Sequence, residues 1–398
     1  MYMKQKKILI LGATISQIPL IKIAKEFGYF VIVCSYDASE PGIGYADEFH
    51  NISTTDNQAV LNLARTKNVD AVTSWATDVA APAAAYAAGV LGLPGNPYKT
   101  VKMLTEKDSF REFLIKRGFL TPGYQVLSEE EIQLSPELSI ALPVIVKPVD
   151  SSGGRGVARV SDMADYIPAL HEALLYSRKK RVIVEEAIEM TGTQIHGDGF
   201  VVDGRLVFTF LGDHHFSEVS NVVPVATSWP SQMPDYILRK LISEVGRFIQ
   251  ESGFRYGPVN IEARIDPDQN IYIIELAPRA GGHSSSELTN TGTGVDLLFE
   301  MMQYLDGQKI KIIKTKSECV AYYLLHSRVN GLFSDISIEP EIKRHITSLH
   351  LKVEKGDQVR KYQNMRDALG VVLFRFENKD TMMKTLKNVH KSVSVVLE

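Results

Sequence analysis

Residues 144–160 read VIVKPVDSSGGRGVARV: an apolar, β-branched segment that ends near Lys147, a loop rich in glycine and serine, and a second apolar segment. Because glycine tolerates positive φ angles, such a loop can direct successive backbone N–H groups toward a phosphate. In Walker and Rossmann sites the glycines open a helix, whereas here the segment that begins at Gly156 has the residues of a strand. We therefore predict a glycine-tipped β-hairpin that lies over a nucleotide as a lid.

Composition narrows the function classes. The 398 residues are enough for two to four packed units. A net charge of −3, with no basic block, argues against a nucleic-acid partner. No apolar run approaches the roughly 18 residues that cross a bilayer, so no membrane partner is expected. The two cysteines, Cys34 and Cys319, lie in strand-like segments and are expected to be buried, reduced thiols, which predicts a cytoplasmic location.

The order of predicted elements divides the chain. Strands and helices alternate through residues 1–118, which indicates a parallel sheet covered on both faces. Residues 119–188 contain the glycine hairpin. Residues 189–310 contain antiparallel strands, with a strong turn signal at Asp203-Gly204 and a long helix ended by Gly253. Residues 311–398 have strands and a closing helix. The predicted fold class is therefore α/β, with α+β character overall.

Two acidic residues are predicted to face each other in one hairpin. If Pro267 to Asn270 form a four-residue loop, Glu262 pairs directly with Glu275 on one face of the sheet. Like charges in that position cost up to roughly 1 kcal/mol unless a cation lies between them. Carboxylates are ligands that Mg²⁺ prefers. A five-residue loop would instead shift the register and leave both acids as solvated surface groups.

ELAPRAGGH, residues 275–283, places an arginine and two glycines just after that strand. The planar guanidinium of Arg279 suits a phosphate or a carboxylate. Gly281 and Gly282 allow a ligand to approach the backbone closely. A surface turn with an incidental arginine is the simpler alternative. His283 fits a substrate contact and a hydrogen-bonded structural histidine equally well.

Three further signals concern the nucleotide. Lys147 ends an apolar strand, where an unpaired cation is costly to bury, so it is expected to meet an anion or to extend to solvent. Arg155 at the loop tip is either a phosphate contact or a solvated charge. The strand end Glu185-Glu186-Ala187-Ile188 resembles a hinge whose backbone groups read the edge of adenine. GATISQ, residues 12–17, lacks the GxGxxG spacing, and the chain has no HExxH, CxxC or GxSxG motif.

Taken in order, these segments resemble the ATP-grasp superfamily of carboxylate–amine ligases, especially its purine-biosynthetic members, biotin carboxylase and the amino-acid ligases. The resemblance implies an N-terminal Rossmann-like preATP-grasp domain, a lid subdomain, a central metal-binding subdomain and a small, β-rich C-terminal domain. Through LPGNPYKTVKMLTEKDSFREFLIKRG (93–118) it implies that Lys107 reaches the nucleotide. It also assigns residues to ATP and to metal. The ATP set is Lys107, Lys147, Ser152, Gly153, Gly154, Arg155, Gly156, Glu185, Glu186, Ala187, Ile188 and Gln194, and the metal set is Glu262 and Glu275.

The resemblance further implies the chemistry. ATP and Mg²⁺, with Mn²⁺ as an alternative ion, would convert a small carboxylate to an acyl-phosphate that an amine attacks, with Lys147 and Arg279 as catalytic residues. Two positions depart from the usual pattern: Gln194 stands near the place of a ribose-binding glutamate, and Ala277 stands where many members have asparagine. A bicarbonate-using carboxylase and a nucleotide-binding regulatory protein without catalysis remain as alternatives. A nicotinamide oxidoreductase has little support. A homodimer is expected from the resemblance alone.

The acceptor side is the least determined by the sequence. HGDGFVV (196–202), DHHFSEVSN (213–221) and SWPSQMP (228–234) are expected to border the pocket for the acid or amine. Candidate contacts are Arg279, Gly282, His283 and His214, followed by Asp213, His215 and Trp229. The residue types do not rank them, because each suits a structural role as well.

Overall fold

A parallel sheet of four strands, in the order β3-β2-β1-β4, begins the fold in a computed structural model that describes residues 5–216 and 223–398. Alternate residues of its central strands enter two separate apolar clusters, because helices cover both faces, as predicted. The short strand β3 was not predicted, since its sequence, EFHN, is mostly polar. The elements are β1 Lys7–Leu11, α1 Ile18–Glu26, β2 Phe30–Ser35, β3 Glu48–Asn51, α2 Asn57–Lys67, β4 Ala71–Ser74 and α3 Ala81–Leu91.

Two helices lead from this sheet to the lid: α4 Tyr98–Thr105 and α5 Lys107–Lys116. Gly118, with φ +68°, follows the end of α5, as expected for a glycine that terminates a helix. Lys107 is the first residue of α5, and its backbone N–H donates to the carbonyl of Val149 at 2.9 Å. The start of α5 is therefore attached to the strand that precedes the glycine loop.

The second sheet is antiparallel and has the order β5-β8-β6-β7. Its inward valines pack against the apolar face of one helix, α7. The predicted hairpin is confirmed, with Val144 opposite Val160, although its second strand begins only at Ala158. The elements are β5 Tyr124–Ser128, α6 Glu129–Gln133, β6 Val144–Pro148, β7 Ala158–Val160, α7 Tyr166–Leu175 and β8 Arg181–Glu186.

The largest sheet has eight strands in the order β13-β12-β9-β10-β11-β14-β18-β16. Asp203 and Gly204 both have positive φ in the turn between β9 and β10, so the predicted tight hairpin is confirmed. The long helix α8 ends before Gly253, also as predicted. The elements are β9 Ile195–Val202, β10 Arg205–His215, β11 Ala226–Trp229, α8 Asp235–Ser252, β12 Gly257–Ile265, β13 Ile271–Ala277, α9 Ser285–Thr293, α10 Leu297–Leu305 and β14 Cys319–Leu325.

The C-terminal residues contribute to two sheets. β14, β16 and β18 extend the eight-stranded sheet, and β15, β17 and β19 form a separate sheet of three strands. Strands on both sides of residue 310 therefore share one sheet, and the division of the chain into four units stays a prediction. The remaining elements are β15 Gly331–Ile338, α11 Pro340–Lys343, β16 Ile346–Leu351, β17 Gln358–Val359, β18 Gly370–Phe376, α12 Lys379–Lys387, α13 Val389–Ser392 and β19 Val393–Leu397.

Two sequence expectations outside the site can be compared directly. Cys34 is buried in β2 as expected, whereas Cys319, the first residue of β14, is only half-buried. None of the helices in the described part of the chain combines the length and apolar character needed to cross a bilayer.

Candidate functional site

The glycine loop is held in a folded conformation against its surroundings. Gly153, Gly154 and Gly156 all have positive φ, which side chains with a Cβ rarely adopt. At Gly156 an added Cβ would lie 2.9 Å from a ring carbon of Tyr176. At the loop tip, Arg155 donates its Nε–H to the carbonyl of Ser152 at 3.2 Å. The loop therefore has the backbone freedom that the sequence predicted, and it packs closely at Gly156.

Lys147 lies in a buried triad that was only partly predicted. Its Nζ is 2.7 Å from one carboxylate oxygen of Glu185, and Nε of Arg111 is 2.9 Å from the other. Burial lowers the pKa of Lys147 to about 8. Burial opposes ionisation of Glu185, but the two cations hold its pKa at about 2. With two cations and one anion, the triad carries one net positive charge below pH 8.

Arg111 retains unused hydrogen-bonding capacity. It lies on α5, fully buried, and its Nη2 donates to the carbonyl of Ile274 at 2.9 Å. Its Nη1 has no hydrogen-bond partner among the described residues. A buried guanidinium with a free donor beside a buried lysine is a place where an anion would be stabilised. The sequence analysis missed Arg111, because one arginine in an amphipathic helix carries no signal of burial.

The hinge after β8 has backbone groups available for a ligand. Glu186 donates its N–H to the carbonyl of Gly123, and Ala187 donates to that of Pro143. The carbonyl of Ala187 and the N–H of Ile188 have no hydrogen bond within residues 5–216 and 223–398. Because Glu185 is committed to the triad, the adjacent backbone, rather than that side chain, can read an adenine edge.

Glu262 and Glu275 are directly opposite each other on β12 and β13, which confirms the predicted pairing. The predicted reason for it was wrong: the loop has five residues, Asp266 to Asn270, and the register shifts between Glu262 and Ala263. Ile274 is the extra residue that restores the pairing. Burial and then the charge of Glu275 raise the pKa of Glu262. The charges of Arg279 and Arg264 only partly offset this repulsion. Two opposed oxygen ligands of this kind fit a Mg²⁺ site.

Gln194 connects this acidic pair to an arginine. Its Nε2 donates to Oε2 of Glu262 at 2.8 Å, and its Oε1 accepts from Nε of Arg264 at 2.9 Å. Both ends of the amide are therefore used within the protein. These bonds orient Glu262, and the ribose contact of Gln194 stays a prediction.

Arg279 is held by a carboxylate that the sequence analysis did not identify. Its Nε and Nη2 donate to the two oxygens of Asp78, at 2.6 and 3.0 Å. Burial by itself would lower the pKa of Arg279, but the carboxylate of Asp78 outweighs burial and raises this pKa above its ordinary value. Nη2 also lies 3.9 Å from Oε1 of Glu275. Asp78, in the loop after β4, thus fixes the guanidinium beside the acidic pair.

A second buried carboxylate fixes the turn that follows Arg279. Asp198 on β9 accepts from the N–H of Gly281 at 2.7 Å and from the hydroxyl of Ser285 at 2.7 Å. His283, with φ +53°, contacts Sδ of Met365 through Nε2 at 3.4 Å, and burial lowers the pKa of its ring to about 3. Gly282 has open space on its Cβ side. A substrate contact for Gly282 or His283 stays a prediction.

A cavity of about 430 Å³ joins several of the predicted residues. Its lining includes Asp78, Lys107, Ser152, Lys179 and Glu275. Within it, Nζ of Lys107 donates to the carbonyl of Ser151 at 2.6 Å. Its volume is in the range of small-molecule sites. Among the described residues, the hinge and His283 are outside its lining, so the cavity brings together the linker, the lid base and one metal candidate.

Two of the acceptor-side candidates form hydrogen bonds with the segment 228–234. Asp213 accepts from the hydroxyl of Ser231 and from the N–H of Gln232. His215 contacts the hydroxyl of Ser228 at 2.8 Å, and Trp229 is buried. These contacts favour structural roles for Asp213 and His215, whereas Nε1 of Trp229 has no hydrogen-bond partner among the described residues. The part of the predicted border from 217 to 221 lies outside the described residues.

His214 lies against a histidine that was not singled out. The rings of His196 and His214 stack with centroids 4.1 Å apart. Burial lowers the pKa of His196 to about 3 and that of His214 well below its ordinary value. Both rings are therefore neutral at pH 7. Alternate residues of β9 share one face of the sheet, and so do alternate residues of β10. The register between the two strands must be known before this pattern shows that His196 and His214 meet.

Comparison with known proteins gives the same fold over the whole chain. An L-amino acid ligase from Bacillus licheniformis superposes with a TM-score of 0.82 at 18% identity, covering 99% of each chain. Phosphoribosylglycinamide synthetase from Anaerococcus prevotii superposes with a TM-score of 0.76 at 22% identity, covering 99% of this chain and 100% of that one.

Sequence relatives are also distant. A formate-dependent phosphoribosylglycinamide formyltransferase from Psychromonas ingrahamii is 24% identical over 392 residues, which are 94% of this chain and 91% of that protein. Other relatives are longer: the chain covers 23% of the carbamoyl phosphate synthase large chain of Pseudothermotoga lettingae, to which it is 25% identical over 268 residues. The first curated relatives are thus matched over less than half of their length.

Residues 140–287 match the ATP-grasp domain family. That range contains the glycine hairpin, the hinge, the acidic pair and Arg279. The protein therefore contains an ATP-grasp domain and has the ATP-grasp fold.

Proposed function

We propose that the protein is an ATP-dependent ligase that activates a small carboxylate as an acyl-phosphate and joins it to an amine. The observation that carries this proposal is the position of the buried Arg111–Glu185–Lys147 triad beside the acidic pair. Arg111 donates to Ile274, the neighbour of Glu275 in the chain. A net positive group and two opposed carboxylates thus adjoin, as a Mg²⁺–triphosphate requires.

Most of the predicted nucleotide and metal residues receive a role in this proposal. Lys147, the free donor of Arg111 and the loop Ser152–Gly156 bind phosphate oxygens. The backbone of Ala187 and Ile188 reads the adenine edge, with Glu186 at the start of the hinge. Lys107 lies in the shared cavity, where a phosphate oxygen would replace the carbonyl of Ser151 as the acceptor for its Nζ. Glu262 and Glu275 hold Mg²⁺ or Mn²⁺, which when bound neutralises charge on the triphosphate.

The chemistry needs alignment more than covalent help from the protein. A carboxylate oxygen of the acid attacks the γ-phosphorus, and the bond from that phosphorus to the β–γ bridging oxygen breaks, which releases ADP. The amine nitrogen then attacks the acyl carbon, inorganic phosphate leaves and the nitrogen loses a proton. Arg279, fixed by Asp78, offers its guanidinium to the oxygens that bear the developing charge. The lid excludes water from the acyl-phosphate.

ADP release in the presence of candidate acids and amines tests the proposal. The panel pairs amino acids and small carboxylates, with formate and L-amino acids included because two similar proteins are described as formate-dependent and as an L-amino acid ligase. We expect ADP formation that requires Mg²⁺, one acid and one amine. Glu275→Gln serves as the inactive control.

The remaining outcomes separate the alternatives. ADP release that requires bicarbonate, with no other acid, favours the carboxylase. MgATP binding without ADP release across the panel and with bicarbonate favours a nucleotide-binding regulatory protein. Absence of MgATP binding defeats the proposal. The homodimer and the cytoplasmic location stay predictions, to be measured by light scattering and by localisation of the tagged protein.

A further inference from the structure

A partly buried arginine lies between the hinge and the acidic pair. Arg264 is two residues beyond Glu262 on β12, so both side chains point to the same face of the large sheet. The carbonyl of the next residue, Ile265, accepts a hydrogen bond from the N–H of Thr191 at 2.8 Å. Because Thr191 belongs to the segment that follows the hinge, Arg264 is on the hinge side of Glu262.

The guanidinium of Arg264 also faces the lid. Burial lowers its pKa, whereas the carboxylates of Glu262 and Glu185 raise it and the charge of Arg159 lowers it. Glu185 is on β8 and Arg159 is on β7, both in the lid sheet. Arg264 therefore lies in the cleft between the lid and the large sheet, where the nucleotide is proposed to bind.

One side of this guanidinium is held by the protein, and the other side is free. Nε of Arg264 donates to Oε1 of Gln194 at 2.9 Å, and Nε2 of Gln194 donates to Oε2 of Glu262 at 2.8 Å. The two terminal nitrogens of Arg264 form no hydrogen bond and no ion pair among the described residues. Most of the N–H donors of the planar fork are therefore available to a ligand.

The proposed position of the nucleotide indicates which part of it meets these donors. The adenine edge is at the hinge backbone, and the triphosphate is at the acidic pair. The buried triad is on the Glu275 side of that pair, since Arg111 donates to the carbonyl of Ile274, the residue before Glu275. The ribose joins the adenine to the phosphates, and it must pass over the hinge side of Glu262, where Arg264 lies.

We propose that Arg264, oriented by Gln194, donates hydrogen bonds to the ribose hydroxyl oxygens and makes the protein selective for a ribonucleotide. The inference rests on the proposed function, because it takes MgATP as the ligand. A carboxylate near position 194 would accept hydrogen bonds from the ribose hydroxyls. Here both ends of the Gln194 amide are used within the protein, so the contact passes to a donor. A hydroxyl oxygen has the lone pairs that a guanidinium needs.

Calorimetric titration of the full-length protein with ATP, 2′-deoxy-ATP and 3′-deoxy-ATP tests the contact. Each titration contains Mg²⁺ but no acid or amine, so that binding is measured without turnover. The measured quantity is the Kd of each deoxynucleotide divided by the Kd of ATP, the discrimination ratio. For at least one analogue we expect a discrimination ratio of about ten or more in the wild type, as is typical for the loss of a hydrogen bond to a charged group.

Arg264→Met removes the donors and leaves Gln194 in place. Its affinity for ATP should fall, and its discrimination ratio should approach one. Arg264→Lys keeps the positive charge but loses the planar fork, so its discrimination ratio should be several-fold below that of the wild type. The lysine variant decides the question if the methionine variant does not fold.

The matched control is Arg159→Met, which removes an exposed arginine whose charge acts on Arg264. This change alters the charge around the nucleotide equally for ATP and its deoxy analogues. The discrimination ratio of Arg159→Met should therefore equal that of the wild type, whatever happens to its absolute affinity for ATP.

Equal affinities of the wild type for ATP and both deoxynucleotides overturn the inference. So does a discrimination ratio in the folded Arg264 variants that equals the wild-type value, which would assign the ribose to another group. Absence of MgATP binding overturns it together with the proposed function. MgATP binding without ADP release defeats the ligase alone, because the discrimination ratio is still measured in that case.

Discussion

Glu262 on β12 and Glu275 on β13 are directly opposite each other because Ile274, the residue before Glu275, bulges out of the pairing between the two strands. The carbonyl of Ile274 accepts a hydrogen bond from Arg111, and Arg111 binds Glu185, the partner of Lys147. One bulged residue therefore connects the two opposed carboxylates to the buried positive triad. Bulges of this kind reorient side chains next to functional sites.

Replacing one member of the acidic pair should change stability and activity in opposite directions. Glu275→Gln removes the like-charge repulsion, which is worth up to about 1 kcal/mol, so the free energy of unfolding without Mg²⁺ should rise. Mg²⁺-dependent turnover should be lost, because one oxygen ligand has lost its charge. Urea unfolding and ADP release measure the two effects. A fully active variant contradicts the metal assignment.

The affinity for ATP should depend on the charge of Lys147. Its pKa in the free protein is lowered to about 8, so the ammonium form is present below pH 8 and is lost as the pH rises above it. The Kd for ATP should therefore increase above pH 8, by at most about tenfold per pH unit for one proton.

Lys147→Met is the matched variant for this measurement. It has no charge to titrate, so its ATP affinity should be weaker at pH 7 and almost constant from pH 7 to 9. Calorimetry at several pH values measures both proteins. Equal affinities at pH 7 would remove the phosphate role of Lys147.

Replacing Arg111 should lower the free energy of unfolding far more than replacing Arg117, which follows the last residue of the same helix, α5. Arg111→Met leaves Glu185 with one cation in a buried site and should cost about 3–5 kcal/mol. Arg117→Met removes an exposed arginine that is 3.9 Å from Glu251, and should cost less than about 1 kcal/mol. Thermal unfolding followed by circular dichroism compares them. Similar losses for the two variants would contradict the assigned importance of the triad.

The lid glycines should differ in their tolerance of a methyl group. Gly153→Ala and Gly156→Ala each place a side chain at positive φ, which costs about 1–2 kcal/mol. At Gly156 the new Cβ also meets Tyr176 at 2.9 Å, whereas at Gly153 its nearest neighbour is 4.0 Å away. Gly156→Ala should therefore lose a further 1 kcal/mol or more, as about 1–3 is typical of overpacking. Comparison of the melting temperatures tests this difference.

Much of the fold could be predicted from local patterns. Apolar alternation and glycine placement indicated the β6–β7 hairpin, the turn at Asp203-Gly204, the end of α8, and the parallel first sheet. The short polar strand β3 could not be predicted, because its pairing with β2, and not its residue types, makes it a strand. The continuation of the large sheet through β14, β18 and β16 also depends on contacts between distant segments.

The residues of the candidate site likewise fall into those that the sequence identified and those that only the structure revealed. Lys147, Glu262, Glu275 and Arg279 were found because charged residues interrupt apolar strands or precede glycine-rich turns, where a structural explanation is costly. The nearby residues Arg111, Asp78 and Asp198 have no such context, since an arginine in a helix and an aspartate in a loop or strand look solvated. Burial or a bidentate ion pair makes them functional candidates, and both follow from packing between elements far apart in the chain.

Residue types and their spacing were thus sufficient for the lid hairpin and for two acids on neighbouring strands of one hairpin, because backbone preferences and charge act over a few neighbouring residues. The bulge at Ile274, the triad around Glu185 and the convergence of His196 and His214 arose only in the folded chain. Each joins atoms from separate strands or helices, and their distances depend on registers and packing that no local pattern encodes.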